Sequence, residues 1–188
     1  ALMRLPRTAT VAISVVTAVV WLLIALLGAD SRAAVTMGVI PARLSGLVDI
    51  TPAVPAWLTP LSSTLVHGGA LHLALNLLIF VWCGSKVERI LGAGPILFLY
   101  LVGAYTAAMA QWLASPLSPT PMIGASGAIS AVIGAFALSF GQQKRIVSSP
   151  SLNRTLNALW LLAAWIVLQM MTGLLAGTQG YLLATPAH

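Results

Sequence analysis

The chain has 188 residues, 59% hydrophobic and only 6% charged, with a mean hydropathy of +0.98. Soluble domains carry about 25% charged residues, so this composition excludes a water-soluble fold and leaves room for one domain of several spanning helices. The net charge of +6 does not point to nucleic acid, because the basic residues are scattered beside apolar segments, and a lone Cys83 excludes an internal disulfide.

Uncharged runs close to the ~20 residues that cross a bilayer divide the chain. The first runs from Thr8 to Ala29, the second from Thr64 to Ser85 and the third from Leu91 to Leu113. A fourth, Gly124 to Phe140, is shorter than a full span, and a fifth covers Thr155 to Ala176. Tyr181 to His188 reads as the opening turns of a sixth. The chain begins with Ala1 and carries no cleavable signal pattern. The expectation is a single membrane domain over 1–188, truncated where its sixth helix starts. Between the first two runs lies a loop of about thirty residues with Pro41, Pro52, Pro55 and Pro60, a length that marks a functional or interface-lying element. No internal repeat is visible, which weighs against inverted-repeat transporters.

Arg4 and Arg7 precede the first run, Lys86 and Arg89 join the second to the third, and Lys144, Arg145 and Arg154 join the fourth to the fifth. Alternating spans put all of them on one side, and the other side receives only Arg32 and Arg43. By the positive-inside rule the N-terminus is cytoplasmic.

Polar side chains at membrane depth are costly and therefore functional candidates. Here they are His67, His72, Asn76, Ser126 and His188. His72 and Asn76 are four apart and share a helix face. At ~1.5 Å per residue, Asn76 lies roughly 15 Å, His72 roughly 21 Å and Ser126 about 27 Å above the cytoplasmic boundary. His188 lies about 12 Å below the outer surface of a core about 30 Å thick. Three segments thus bring polar groups to the outer half. Each residue also has a plainer reading. Ser126, Ser130 and Gly134 follow the small-xxx-small spacing of close helix packing, and His72 with Asn76 serves equally as an interhelical hydrogen-bond pair. Cys83 reads as packing, and Trp57, Trp82 and Trp112 read as residues of the interfacial belt.

Exclusion narrows the chemistry. The carboxylates Asp30, Asp49 and Glu88 all lie outside or at the ends of the apolar runs, so neither a paired-aspartate protease nor a buried acid relay can be built. No HExxH or cysteine cluster offers a metal site, and no cofactor is expected. A hydroxyl, imidazoles and an amide remain, which suit acyl transfer. Ser126 would attack a carbonyl while a histidine takes its proton. The first N–H groups of the helix it opens have no intrahelical partner and can face an anion, and His72 and Asn76 can add donors. Gly124 and Gly127 let backbone and substrate approach closely. The soluble G-x-S-x-G elbow does not match, because Ala128 holds its second glycine position.

These residues carry a resemblance. "GASGAISAVIGA" (124–135), "HGGALHLALN" (67–76), "GSKVERILG" (84–92) and the terminal "PAH" (186–188) resemble, in order, motifs of the rhomboid family of intramembrane serine proteases. The likeness covers roughly residues 57–188. It implies an all-α, six-helix bundle, here five transmembrane helices plus the start of the sixth, in a bacterial plasma (inner) membrane with the site opening outward. It implies Ser126 as nucleophile, His188 as base, His72 and Asn76 in the oxyanion hole with His67 supporting them, and Glu88 as structural. With no carboxylate in reach of Ser126, the catalytic pair is a Ser-His dyad. Many members carry an aromatic residue four places after the serine, stacked on the base; Ser130 stands there in this chain. The implied partners are the lipid bilayer and membrane-protein substrates with helix-destabilising segments, and no nucleic acid. The alternative in a different class is a non-catalytic rhomboid-like protein that binds membrane clients; retention of both Ser126 and His188 favours the enzyme. A channel or transporter would need polarity across the whole membrane, and here it stops in the outer half.

Overall fold

The computed structural model describes residues 9–140 and 149–165, apart from 154, 158 and 162. The described residues are helical, with no strand beyond one isolated bridge. In chain order come α1 (Ala9–Leu26), α2 (Asp30–Met37), α3 (Pro41–Leu44), α4 (Thr59–Ser62), α5 (Ala70–Leu91), α6 (Ala93–Ala114) and α7 (Ser126–Phe140). Residues 150–165 are again helical where described. Among the described residues, α1, α5 and α6 are long and apolar enough to cross a membrane, and α7 is a shorter apolar helix of 15 residues.

The second span differs from its expected limits at both ends. Residues 66–69 lie outside the helix, which starts at Ala70 and runs to Leu91, past the charged cluster. The reason lies in Glu88. This buried carboxylate accepts hydrogen bonds from the amides of Ala9 and Thr10, both 2.9 Å, and from the Thr10 hydroxyl, 2.6 Å. It thus caps the first turn of α1, where unpaired N–H groups and the positive end of the helix dipole favour an anion. A charge that marks a loop in a hydropathy plot is here an internal tie, and α5 ends only at Gly92, whose φ of 90° suits glycine.

α7 sits at the centre. Ile129, Val132, Ile133, Phe136 and Ala137 are buried along it, and α5 and α6 pack on either side. Lipid tails are as apolar as leucine, so helices associate here through close packing and hydrogen bonds rather than through escape from water. The closest approach is at Gly103 of α6: a β-carbon there would lie 2.8 Å from the Ala128 carbonyl oxygen and 2.8 Å from the Ala131 β-carbon. The small-residue contact therefore runs through Gly103, Ala128 and Ala131. At Gly134, on the expected Ser126–Ser130–Gly134 face, a β-carbon meets nothing within 4 Å among the described residues.

The proline-rich connection between α1 and α5 packs onto the α6–α7 connection. Val39 and Met122 exchange backbone hydrogen bonds of 3.0 and 2.8 Å, and the Ala42 amide donates to the Ser118 carbonyl at 3.0 Å. The Trp112 indole N–H donates to the Ser45 hydroxyl at 2.8 Å, and that hydroxyl donates to the Pro116 carbonyl at 2.8 Å. Trp112 thus also ties the two connections together. Trp57 and Trp82 are exposed as belt residues are.

Candidate active site

α7 begins at Ser126, where the Ala125 carbonyl accepts the first helical hydrogen bond, from the Ile129 amide at 2.9 Å. The serine stands in the first turn of a buried helix, itself 5% exposed. The helix also starts two residues later than its apolar run, because Gly124 turns the chain with a φ of 111°, a conformation natural only to glycine.

Three elements meet at that turn. The connection before α5 supplies Ser63, whose carbonyl accepts the Gly124 amide at 2.9 Å. It also supplies His67, whose Nε2 accepts the Ala125 amide at 3.4 Å. Because that nitrogen is an acceptor, the neutral ring carries its proton on Nδ1, and His67 cannot use Nε2 as a base toward the serine. The His67 carbonyl is in turn held by the Trp21 indole N–H of α1 at 3.2 Å.

The third element is α5, which brings His72. Its ring packs edge-on against His67 with centroids 5.0 Å apart. A β-carbon at Gly124 would lie 2.8 Å from Cε1 and 2.9 Å from Nε2 of His72, and 4.0 Å from the Ser126 hydroxyl oxygen. The imidazole edge and the serine hydroxyl thus flank one point, left clear by the missing side chain. Asn76, one turn further along α5, is wholly buried. Its Nδ2 donates to the His72 carbonyl at 2.9 Å, while Oδ1 has no hydrogen-bond partner among the described residues. The amide therefore spends one proton on its own helix and keeps one for another acceptor. Gly127 follows Ser126 in the first turn, half-buried.

The structure therefore brings Ser126, Gly124, His67 and His72 together where α5 meets the start of α7, and places Asn76 one turn further along α5, tied to the His72 carbonyl. His188 lies outside the described residues. The backbone contacts made by Ser63, Val39 and Met122 carry no sequence signal, because any residue type supplies the same amide and carbonyl. Trp165 could not be anticipated either. Its indole N–H donates to the Ser130 hydroxyl at 2.9 Å, and that hydroxyl donates to the Ser126 carbonyl at 2.8 Å.

Comparison with known proteins identifies the family. The family model described as the Rhomboid domain matches residues 55–188. Rhomboid protease GluP of Bacillus subtilis is 39% identical over 79 residues, 42% of this chain and 15% of that protein. Rhomboid protease GlpG of Pectobacterium atrosepticum is 31% identical over 105 residues, 55% of this chain and 37% of its own length. RHOMBOID-like protein 4 of Arabidopsis thaliana is 36% identical over 76 residues, 39% of this chain and 18% of that protein. The matched region is thus well under two thirds of each relative. The family match takes in the histidine corner, the capping glutamate and the serine turn, all carried on apolar helices, and this integral membrane protein belongs to the rhomboid family.

Proposed function

We propose that this protein is an intramembrane serine endopeptidase that cleaves transmembrane or juxtamembrane segments of other membrane proteins by a Ser126–His188 dyad. The observation that carries this reading is the meeting of the His72 ring edge and the Ser126 hydroxyl about the Cα of Gly124. The names of the relatives support it.

In this scheme His188 removes the Ser126 hydroxyl proton as the oxygen attacks the scissile carbonyl carbon, and the carbonyl π electrons move onto its oxygen. The resulting oxyanion faces the N–H groups of the first turn of α7, the His72 ring N–H and the remaining Asn76 proton. Donors fixed in place before charge develops are the large term in such catalysis. Collapse breaks the C–N bond, the imidazolium passes its proton to the departing amine, and an acyl ester is left on Ser126. A water then repeats the sequence, with His188 again the base. No carboxylate takes part, since Glu88 is committed to the start of α1 and Asp30 and Asp49 lie in the connection after it.

In this reading the protein lies in a bacterial plasma membrane, with the N-terminus cytoplasmic, as the positive-inside rule favours, and the site opening to the outer side. Residues 1–188 act as one rhomboid-like membrane domain. Labelling with a fluorophosphonate tests the assignment. The wild type should form a stable adduct on Ser126, and Ser126→Ala and His188→Ala should form none. Equal labelling of Ser126→Ala overturns the nucleophile. A wild type that takes no label yet retains membrane-protein clients would be a non-catalytic client-binding member instead.

A further inference from the structure

The serine turn has a support that comes from the far end of the chain. Trp165 lies in the stretch 150–165, helical where described, is 4% exposed, and packs in the same apolar cluster as Ala125, Ala128 and Ile129. An indole N–H can only donate. At 2.9 Å it donates to the Ser130 oxygen, which obliges the Ser130 proton to point elsewhere, and it points to the Ser126 carbonyl 2.8 Å away. The chain of donors has one direction, from Trp165 through Ser130 to Ser126. Each bond polarises the next.

The Ser126 carbonyl already accepts the helical bond expected from the residue 130 amide. A second donor on the same oxygen fixes its peptide plane and therefore the direction in which the Cα projects the side-chain oxygen. A serine that bonds back to the carbonyl four residues earlier usually strains a helix slightly. Here the hydroxyl is simultaneously held by a buried tryptophan, so the position is built rather than incidental. From this geometry we infer that Trp165 and Ser130 are positioning residues for Ser126, acting as one relay that holds the nucleophile's peptide in its reactive orientation. This inference rests on the proposed role of Ser126.

Trp165→Phe keeps the ring and removes the N–H, Ser130→Ala removes the relay, and Ser130→Thr keeps a hydroxyl. A hydrogen bond is worth about 1 kcal/mol net, so each of the first two variants should lower kcat and the rate of fluorophosphonate capture about fivefold. KM should stay within about twofold, Ser130→Thr should recover most of the rate, and the double variant should be no slower than the slower single one. Independently of activity, a double-mutant cycle on thermal unfolding in detergent micelles should return a coupling between positions 165 and 130. Wild-type capture rates in both single variants, losses confined to KM, factors that multiply in the double variant, or no coupling in the unfolding cycle each overturn the relay. Normal capture by the wild type with unchanged variants leaves the protease reading standing. No Ser126 adduct in the wild type removes both.

Discussion

The Cα of Gly124 lies against the imidazole edge of His72, so closely that a β-carbon there would sit 2.9 Å from Nε2. A φ of 111° adds backbone strain for any other residue. Gly124→Ala must therefore displace either the His72 ring or the turn that presents Ser126. We predict a loss of activity of about 100-fold or more, since misplacing a reacting group by about 1 Å costs that much. The same strain costs about 1 kcal/mol or more of stability for Ala at a positive φ and lowers the thermal midpoint, so activity is compared below that midpoint. Activity within a few-fold of wild type would show that His72 has no fixed place in the reaction.

His72 and Asn76 should separate rate from binding. If both face the oxyanion, His72→Ala and Asn76→Ala each remove a donor that matters most in the transition state, and kcat falls by about 10² to 10³. KM should move far less. Asn76 has a second effect, because its Nδ2 holds the His72 carbonyl. The double variant should therefore lose less than the product of the two single losses. Steady-state kinetics on a membrane-embedded substrate checks both statements, and an effect seen only in KM would assign the pair to helix packing.

How much of this is legible in the sequence depends on the range of the interaction. The spans are legible because lipid imposes long uncharged runs, and α1, α6 and α7 fall within two residues of the expected limits at most ends. α5 is misjudged because hydropathy reads Lys86, Glu88 and Arg89 as a boundary, whereas Glu88 turns inward onto α1. Ser126, His72, Asn76 and His67 stand out because polar groups are rare in such a chain, but the meeting of His72, His67 and Ser126 around Gly124 and Ala125 is a tertiary fact. The pairing of Val39 with Met122 and of Ser63 with Gly124 is made by backbone atoms alone, so no side-chain pattern betrays it. The tie made by Trp112 is hidden for a related reason: its partner Ser45 is 67 residues away.

Substrate choice follows from backbone chemistry. A peptide bond in a membrane helix is shielded by its own hydrogen bonds, and exposing it in lipid is costly. On the proposed protease reading, a site at the start of α7 acts on segments that open cheaply. Substrates should carry Gly, Pro or other weak helix formers near the outer face. Replacing these with Leu should slow cleavage about fivefold per Gly and about 100-fold per Pro, given about 1 kcal/mol per Gly and about 3 per Pro. An unchanged cleavage rate, followed by gel on reconstituted vesicles, would refute this requirement.

Ser45 ties the long connection to the end of α6, accepting from Trp112 and donating to Pro116. Ser45→Ala deletes both bonds and leaves the indole N–H without this partner. The expected outcome is faster amide hydrogen exchange across residues 41–47 and a loss of about 1 to 2 kcal/mol in stability. Capture of Ser126 by a fluorophosphonate should remain within about threefold of wild type, because the turn at Gly124 is held separately through Ser63. A collapse of capture with unchanged exchange would mean that this tie serves the site rather than the connection.

Glu88 offers the sharpest separation of stability from chemistry. Its two oxygens accept from two amides and one hydroxyl at the start of α1, in a place where an anion also meets the helix dipole. Glu88→Gln keeps the shape but turns one acceptor into a donor that faces N–H groups. A buried hydrogen bond to a charged group is worth about 1.5 to 3 kcal/mol, and an unsatisfied donor adds a cost of its own. We expect a loss of about 3 kcal/mol or more and a clear fall in the thermal midpoint. Thr10→Val should cost less, since it removes one hydroxyl and leaves both amides bonded. Below its unfolding temperature Glu88→Gln should still react with the probe at close to the wild-type rate, because no step of the reaction involves this carboxylate. An intact midpoint with lost reactivity would move Glu88 from the frame of the protein into its chemistry.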